Sequence, residues 1–491
     1  MPAISIPRQL SFEIHSVHAI VVLFTFVLIA LAPNIVLLPE AWRGSLYNEK
    51  RILEVTLLCS YGLALILSRP ARESWYATLA SLPLTAKICF AAVLGLGLLS
   101  ALFSARPDAA MLEVTTMGML FVLTLGIATF IRQSGTAISW ILCSTFALMA
   151  LAYEARFMTG VLVAQIEEAP LSIHDLFMGF SNLRFFNHIQ TWTLPLLALP
   201  VLWSRGRSPV LAFITFIALS LWWLLLFISS GRGVLIAVCA GALVTVVVFR
   251  KTSLPWIKVQ IGASIAALAA YFLFYRFILS PVTSFSTTAL PQRLAHTFED
   301  PARLRLWEDA WHLFLQNPIL GAGPMHYAYY FQDISLHPHN SIMQLLSEWG
   351  LPTTLLLLLL SLWGAFAWIK QARGILKENT NQEALIQVAL LASISGAAAH
   401  SLVCGIIVTP LSQLLAASVI GLMLGNYPAI RNSLPIMFSR HQHDMVLIGG
   451  LAIAVLILGW ATVTTLFGIE GSLSSEGQVL SNPRFWVPGQ L

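Results

Sequence analysis

Charged side chains are scarce in this sequence. Asp, Glu, Lys and Arg make up 10% of the 491 residues, whereas hydrophobic residues make up 57%. An ordinary soluble domain carries about 25% charged residues. So few ionised groups cannot cover the surface of a soluble protein of this length, and much of that surface must therefore face lipid.

Cysteine is scarce as well. The chain has five cysteines, all of them within apolar stretches, and none forms a Cys-x-x-Cys pair. An odd number without metal-like spacing argues against a disulfide framework and against a cysteine-based metal site. We interpret these residues as small buried hydrophobic side chains.

Two common catalytic signatures are also missing. The chain has no Gly-x-Ser-x-Gly segment that would present a nucleophilic serine, and it has no glycine-rich phosphate-binding loop. The formal net charge of +5 would suggest nucleic acid as a partner if the protein were soluble. In a membrane protein, the bias of basic residues toward the cytoplasm and anionic membrane lipids explain it better, so we expect no nucleic-acid partner.

Apolar runs long enough to cross a membrane fill most of the chain. They predict an all-α polytopic membrane protein with about 12–13 transmembrane helices. The first run follows Arg8, is long enough to span and lacks a small-residue cleavage site, so we expect a span rather than a cleaved signal. The candidate spans are residues 18–38, 52–68, 84–103, 111–131, 136–158, 188–203, 209–228, 233–249, 257–279, 351–369, 385–406, 409–427 and 445–468.

The spans divide the chain into four segments. These are an N-terminal bundle of about nine spans (1–279, including a polar segment at 159–187), a polar loop containing helices (280–350), C-terminal transmembrane helices (351–468) and a short tail (469–491). With the N-terminus in the cytoplasm, every lysine except Lys50 lies on or near the cytoplasmic side. The loop and the tail then lie on the outer face.

The outer face carries arginines instead of lysines. They are Arg106, Arg184, Arg232, Arg293, Arg303 and Arg305. Basic residues on this face work against the topology rule, and an ionisable group close to hydrocarbon is costly and usually functional. A guanidinium also presents a planar fork that suits phosphate oxygens. Arg303 and Arg305, two positions apart on a predicted helix, do not share a face and should have different roles.

The strongest local signal is His337-Pro338-His339-Asn340. Asp300-Pro301 predicts the start of one loop helix, which should end near Gln316, and Asn340 predicts the N-cap of a second. A helix N-terminus favours anions and keeps a nearby imidazole neutral, as a general base requires. The alternative interpretation is that both histidines only cap and pack within a loop.

A His-x-His pair also raises the possibility of a metal site. His296 and His326 occupy the same loop, but no third ligand lies at zinc-like spacing. The sequence therefore predicts no metal site. A basic histidine among several arginines instead suits a bound pyrophosphate and a hydroxyl that must lose a proton.

These residues resemble a known motif within residues 300–352. It consists of Arg303-x-x-x-Trp307, Asn317-Pro318, Gly321-x-Gly323 and His337-x-His339-Asn340, followed by Gln344, Glu348 and Gly350. The pattern is similar to that of the O-antigen ligase family, part of the wider O-antigen ligase/polymerase superfamily of bacterial inner membranes. The segment around Arg232 and the multispan layout extend the resemblance over most of the chain.

The resemblance implies a glycosyltransferase of the GT-C type that needs neither a metal nor another cofactor. Such ligases transfer a glycan from undecaprenyl pyrophosphate to a sugar hydroxyl of the lipid A-core oligosaccharide, at the periplasmic face, with inversion. By this resemblance the essential loop histidine is His339, the loop arginine is Arg303 and the helix-end arginine is Arg232. Arg184 has a similar placement to a family arginine that precedes a span.

His337 and Arg305 are the neighbouring candidates for catalysis and substrate binding. One departure from the family is the final predicted span at 445–467, which places the tail outside. Three alternatives remain open: a polymerase that extends the same glycan, a protein O-oligosaccharyltransferase, and a membrane transporter. Transport is disfavoured because the ionisable residues gather at one face instead of the membrane midplane.

Overall fold

The computed structural model describes residues 17–135, 137–168, 176–274, 301–331, 334–378, 381–427, 441–467 and 484–486. Within these ranges the chain forms helices joined by short turns, without any strand. The all-α prediction is therefore confirmed for the described part of the chain.

The helices of the first half run from α1 to α12. They are α1 (Val17–Leu31), α2 (Glu40–Arg43), α3 (Leu46–Leu67), α4 (Arg69–Ser81), α5 (Leu84–Leu102), α6 (Pro107–Ser134), α7 (Ala137–Ile166), α8 (Leu183–Thr193), α9 (Ala198–Ser204), α10 (Pro209–Ser229), α11 (Arg232–Phe249) and α12 (Leu254–Phe274). A 3₁₀ turn, Arg250–Ser253, joins the last two.

The helices of the second half are α13 (Pro301–Gln316), α14 (Tyr327–Tyr330), α15 (Ser341–Glu378), α16 (Asn381–Ser401), α17 (Pro410–Gly425) and α18 (His441–Leu466). Helix α13 matches the predicted loop helix and confirms it. Its predicted N-cap, Asp300, lies outside the described residues, as do Arg293, His296 and most of the tail.

Several helices start at capping residues that satisfy free backbone N–H groups. Ser45, Ser68, Asn182 and Ser208 each accept a hydrogen bond from a backbone N–H in the first turn of α3, α4, α8 and α10, respectively. Asn340 does the same for α15, because its Oδ1 accepts from the N–H groups of residues 342 and 343 at 3.0 and 3.1 Å. The predicted cap at Asn340 is confirmed.

Among the described residues, eight helical runs are long and apolar enough to cross a membrane, or nine if the bent pair α3 and α4 is one span. The polytopic architecture is therefore confirmed. Within the described residues this number is lower than the expected 12–13 for several reasons. Helices α1 and α17 have only 15 and 16 residues, the run 232–273 counts once although it contains both α11 and α12, and α3 passes only together with α4. The expected span 188–203 is broken.

The predicted span at 188–203 is interrupted. Helix α8 ends at Thr193 and α9, with seven residues, begins at Ala198. The break between them is fixed by other helices, since Leu194 O accepts from Gln260 and Pro195 O accepts from Trp256, both on α12. Side chains of a neighbouring helix thus satisfy the carbonyl groups that the break exposes.

Helix α15 bends at Gly350, close to its start and before its long apolar segment. Gly350 has φ 76° inside the helix, and a Cβ there would lie 2.1 Å from Ile319 O. The 321–323 segment is hydrogen-bonded to the helical turn before the bend. Ala322 N donates to Ser347 O at 2.8 Å, and Gly323 N donates to the carbonyl of residue 348 at 3.1 Å. The glycine-containing loop is therefore docked against the helix that follows the histidine motif.

The close packing of α11 against α16 gives a first test. A Cβ at Gly241 would lie 2.3 Å from Ala392 O, whereas a Cβ at Gly364 on α15 would meet nothing within 4 Å. Gly241→Ala should therefore force the helices apart and destabilise the protein by about 1–3 kcal/mol. Gly364→Ala should be neutral or slightly stabilising, because alanine favours helix. Thermal unfolding in detergent compares the two, and equal melting temperatures would contradict this packing.

Candidate active site

A cavity of about 440 Å³ lies at one end of the bundle, and three arginines line it. They are Arg184, Arg232 and Arg303, and the lining also includes polar side chains from Asn182, Asn187, Ser229, Ser230 and His400. Residues from α8, α11, α13 and α16 thus converge on one space. The structure brings three of the four predicted binding arginines together.

Each of these arginines lies in the first turn of a helix. Arg184 is the second residue of α8, Arg232 is the first residue of α11 and Arg303 is the third residue of α13. None of the three first turns contains an acidic residue. Free N–H groups and the positive end of the helix dipole add to the positive charge of the side chains. The cavity is therefore suited to an anion with several oxygens.

The turn that presents Arg232 is held against α8. Ser230 adopts a left-handed conformation with φ 52°, and Asn187 Nδ2 donates to Ser229 Oγ at 2.9 Å. The same amide group donates to Gln190 Oε1 at 3.0 Å. A Cβ at Gly231 would lie 2.9 Å from Asn187 Nδ2, so glycine allows this close approach. The position of Arg232 relative to α8 is therefore fixed by a buried polar network.

His339 lies beside Arg184 and is 2% exposed. Its Nε2 is 3.3 Å from Arg184 Nη1 and 3.4 Å from Ser335 Oγ. A guanidinium can only donate, so Nε2 accepts and the proton of the neutral ring is on Nδ1. Within the described residues Nδ1 has no hydrogen-bond partner. The lone pair of His339 is thus directed toward Arg184, which itself lines the cavity.

His337 supports the loop that carries His339. Its Nδ1 accepts from the backbone N–H of His339 at 3.2 Å, and the two ring centroids are 4.2 Å apart. The ring of His337 lies over Gly405, where a Cβ would be 2.5 Å from Cε1. His339 itself has φ 52°, which is unusual for a residue with a side chain. The hydrogen bond from its N–H helps to hold that conformation.

Both histidines are kept neutral by their surroundings. Burial, followed by the charges of Arg484 and Arg184, lowers the pKa of His337 to about 3. For His339, burial lowers the pKa well below 6.5, and His337, Arg184 and Arg303 lower it further. Neutral imidazole is the form that can accept a proton.

The two neighbouring arginines of α13 occupy different environments. Arg303 is half-buried and lines the cavity, whereas Arg305 is exposed and is not among the lining residues. This difference follows from their spacing of two residues on a helix. The structure therefore does not bring Arg305 to the cavity with the other candidates.

His326 does not join the histidine pair. Its Nδ1 donates to Pro324 O at 2.9 Å, and its Nε2 accepts from the backbone N–H of Arg106 at 2.9 Å. Both ring nitrogens are therefore used by the backbone. Burial lowers the pKa of His326, which keeps the ring neutral in this structural role.

A cluster that the sequence did not predict lies at the cavity, with His400 and Cys404 in the lining. The ligand atoms of His188, His400 and Cys404 lie within 4.8 Å of one another. They also form hydrogen bonds: His188 Nε2 lies 3.0 Å from Cys404 Sγ, and His400 Nδ1 lies 2.7 Å from Thr191 Oγ1. The three guanidinium groups of the lining disfavour a cation nearby. The sequence carried no signal for the cluster, because His188 is more than 200 residues away from His400 and Cys404.

The depressed pKa of His337 predicts how stability depends on pH. Below pH 6.5 the unfolded chain binds a proton at this residue and the folded chain does not, so stability falls as pH falls. At pH 5 the loss from His337 should be about 2 kcal/mol. His337→Gln keeps an acceptor for His339 N and should show a smaller drop in melting temperature between pH 7.5 and 5. Parallel curves for the variant and the wild type would contradict this assignment.

Comparison with protein families gives a match that covers part of the chain. Residues 216–358 match the Wzy_C family model, described as O-antigen ligase, and this segment contains Arg232, Arg303 and His339. No curated protein matches the sequence significantly. Members of this family are glycosyltransferase-like enzymes of O-antigen ligation or polymerisation. Together with the polytopic helical architecture, the match supports placing the chain in the O-antigen ligase/polymerase superfamily.

Proposed function

We propose that this protein is an O-antigen ligase of the GT-C type. It would transfer a glycan from undecaprenyl pyrophosphate to a sugar hydroxyl of the lipid A-core oligosaccharide, at the periplasmic face of the bacterial inner membrane. The observation that carries the proposal is the meeting of three arginines at three helix N-termini beside the neutral ring of His339. An anionic leaving group and a proton acceptor are the two requirements of this reaction.

The cavity supplies positive charge for the donor. Arg184, Arg232 and Arg303 would bind the pyrophosphate oxygens, while the polyprenyl chain lies among the apolar helices of the membrane. Three fixed guanidinium groups can stabilise the charge that develops on the leaving pyrophosphate. The proposed reaction therefore needs no metal or other cofactor.

The reaction is a single displacement at the anomeric carbon. The acceptor hydroxyl oxygen forms the new bond to that carbon, and the bond from the carbon to the phosphate oxygen breaks. The hydroxyl proton moves to Nε2 of His339, and undecaprenyl pyrophosphate leaves with the bonding electron pair. Attack from the opposite face inverts the configuration. Pyrophosphate is a good leaving group, so no carboxylic acid is required to protonate it.

Arg184 couples donor binding to the activation of His339. Without donor, its Nη1 donates to the Nε2 lone pair that must accept the proton. Phosphate oxygens are stronger acceptors for a guanidinium than a neutral imidazole is. Donor binding would therefore draw Arg184 away, free Nε2 for the acceptor hydroxyl, and raise the pKa of His339 by adding negative charge.

The nearest alternative is a polymerase that uses the same donor but lengthens the glycan on its carrier. Arginine-assisted departure of pyrophosphate and proton removal by His339 would be the same in both enzymes. Transfer to protein differs likewise only in the acceptor. A transporter is less consistent with the cavity, since its arginines gather at one end of the bundle.

A reconstituted assay tests the proposal directly. Purified undecaprenyl-pyrophosphate glycan and lipid A-core would be mixed with wild type or His339→Ala, with a chelator present. Glycan should appear on lipid A-core with wild type, and the variant should lose about 100- to 10,000-fold in rate, as expected for a general base. His312→Ala, which changes an exposed histidine on α13, is the matched control.

Each outcome of this assay has a clear meaning. If the glycan lengthens on its carrier, the protein is a polymerase and not a ligase. Full activity of His339→Ala would remove His339 from the mechanism. Loss of wild-type activity with chelator would contradict a metal-independent reaction.

The arginines of α13 provide a matched pair of substitutions. Arg303→Ala should reduce transfer by about 100-fold, because one donor to the developing charge is lost. Arg303→Lys should restore part of the rate, since it keeps the charge but not the planar fork. Arg305→Ala should stay close to wild type, because Arg305 is exposed and outside the lining. Equal losses for both alanine variants would show that general charge, and not this cavity, is responsible.

A further inference from the structure

Residues close to the C-terminus are inserted into the bundle. Arg484 and Phe485 are 4% and 2% exposed. Both terminal nitrogens of Arg484 donate to the carboxylate of Glu348, with Nη2 lying 3.0 Å from Oε2. A bidentate ion pair between a guanidinium and a carboxylate fixes both side chains in one geometry.

Glu348 connects three separate parts of the chain. Its side chain is fully buried, and Oε1 accepts from the backbone N–H of Tyr327 while Oε2 accepts from Gln344 Nε2, both at 3.1 Å. Its backbone carbonyl accepts from Gly323 N. The carboxylate therefore ties the 323–327 segment and the tail to the start of α15.

The histidine motif directly precedes this part of α15. Asn340 caps the helix directly after His339, and Glu348 lies on the straight segment that ends at the Gly350 bend. A shift of this segment would move His339 relative to Arg184 on α8. The hydrogen bonds of Glu348 therefore set the distance between the proton acceptor and the arginine-lined cavity.

Arg484 supplies the positive charge that this arrangement requires. A buried carboxylate without a cation is strongly unfavourable, and Glu113, which is also buried, lies within electrostatic reach of Arg484. Phe485 packs at 4.8 Å under the guanidinium of Arg51, another buried charge. Arg484 and Phe485 therefore both contact buried charged side chains of the bundle. These contacts define the place of the two residues in the structure.

We propose that Arg484 is a positioning residue for the transfer reaction and acts through Glu348. Its guanidinium keeps the Glu348 carboxylate buried and hydrogen-bonded, and this holds the helix segment that presents His337 and His339. The segment 484–486 is then part of the active-site architecture. The kinetic part of this inference rests on the proposed function, whereas the pairing itself does not.

The test is a double-mutant cycle with Arg484→Gln, Glu348→Gln and the double variant, measured for both transfer rate and melting temperature. Arg484→Gln should lower kcat at least tenfold and change the donor KM less than about threefold, because His339 is displaced while the cavity remains. The double variant should recover most of the kcat and melting temperature, since a glutamine at 348 accepts from Tyr327 N without a cation.

Two further variants keep the test decisive. Arg484→Lys retains the charge without the fork, so it should fold and show an intermediate kcat even where Arg484→Gln does not fold. Arg69→Gln removes an exposed partner of Glu73 and should leave both quantities unchanged.

The opposing results are equally specific. Wild-type kcat in Arg484→Gln, or losses that simply add in the double variant, would overturn the inference. A change confined to the donor KM would also overturn it, because it would place Arg484 at the substrate. The melting temperatures test the pair even if the protein transfers no glycan, so failure of this inference is distinguishable from failure of the proposed function.

Discussion

Three arginines at three helix N-termini are the constraint on which this structure depends. A cation at a helix N-terminus opposes the helix dipole and costs about 0.3–1 kcal/mol at a surface position. Here Arg184, Arg232 and Arg303 all occupy such positions around one cavity. An anionic ligand in this cavity would be stabilised by both the side chains and the helix ends.

The positive charge of the arginines also affects the basicity of His339. Arg184 and Arg303 lower the pKa of His339 further than burial alone. A base with such a low pKa is unprotonated and available, but it is also weak. Negative charge in the cavity would cancel part of the field and strengthen the base. Proton transfer in the proposed reaction is therefore favoured only when the donor is in place, which limits unproductive chemistry with water.

Local sequence signals predicted the pieces of the site, and long-range contacts determined how they fit. The cap at Asn340 and the limits of α13 depend on neighbouring residues, so they could be predicted. The different hydrogen bonds of His337 and His339 could not, because the contact of His339 with Arg184 on α8 is remote in sequence. Hydropathy also does not reveal helix breaks, so the interruption of the expected span 188–203 after Thr193 could not be predicted.

The contribution of Arg484 could not be predicted from local sequence either. Its partner, Glu348, is remote in sequence, and a single arginine in a polar tail has no periodic pattern to mark it. Forming such a buried ion pair costs desolvation free energy, because both charged groups leave water. In return the pair fixes the geometry of Glu348, which lies between the glycine-containing loop and the helix that follows the histidines.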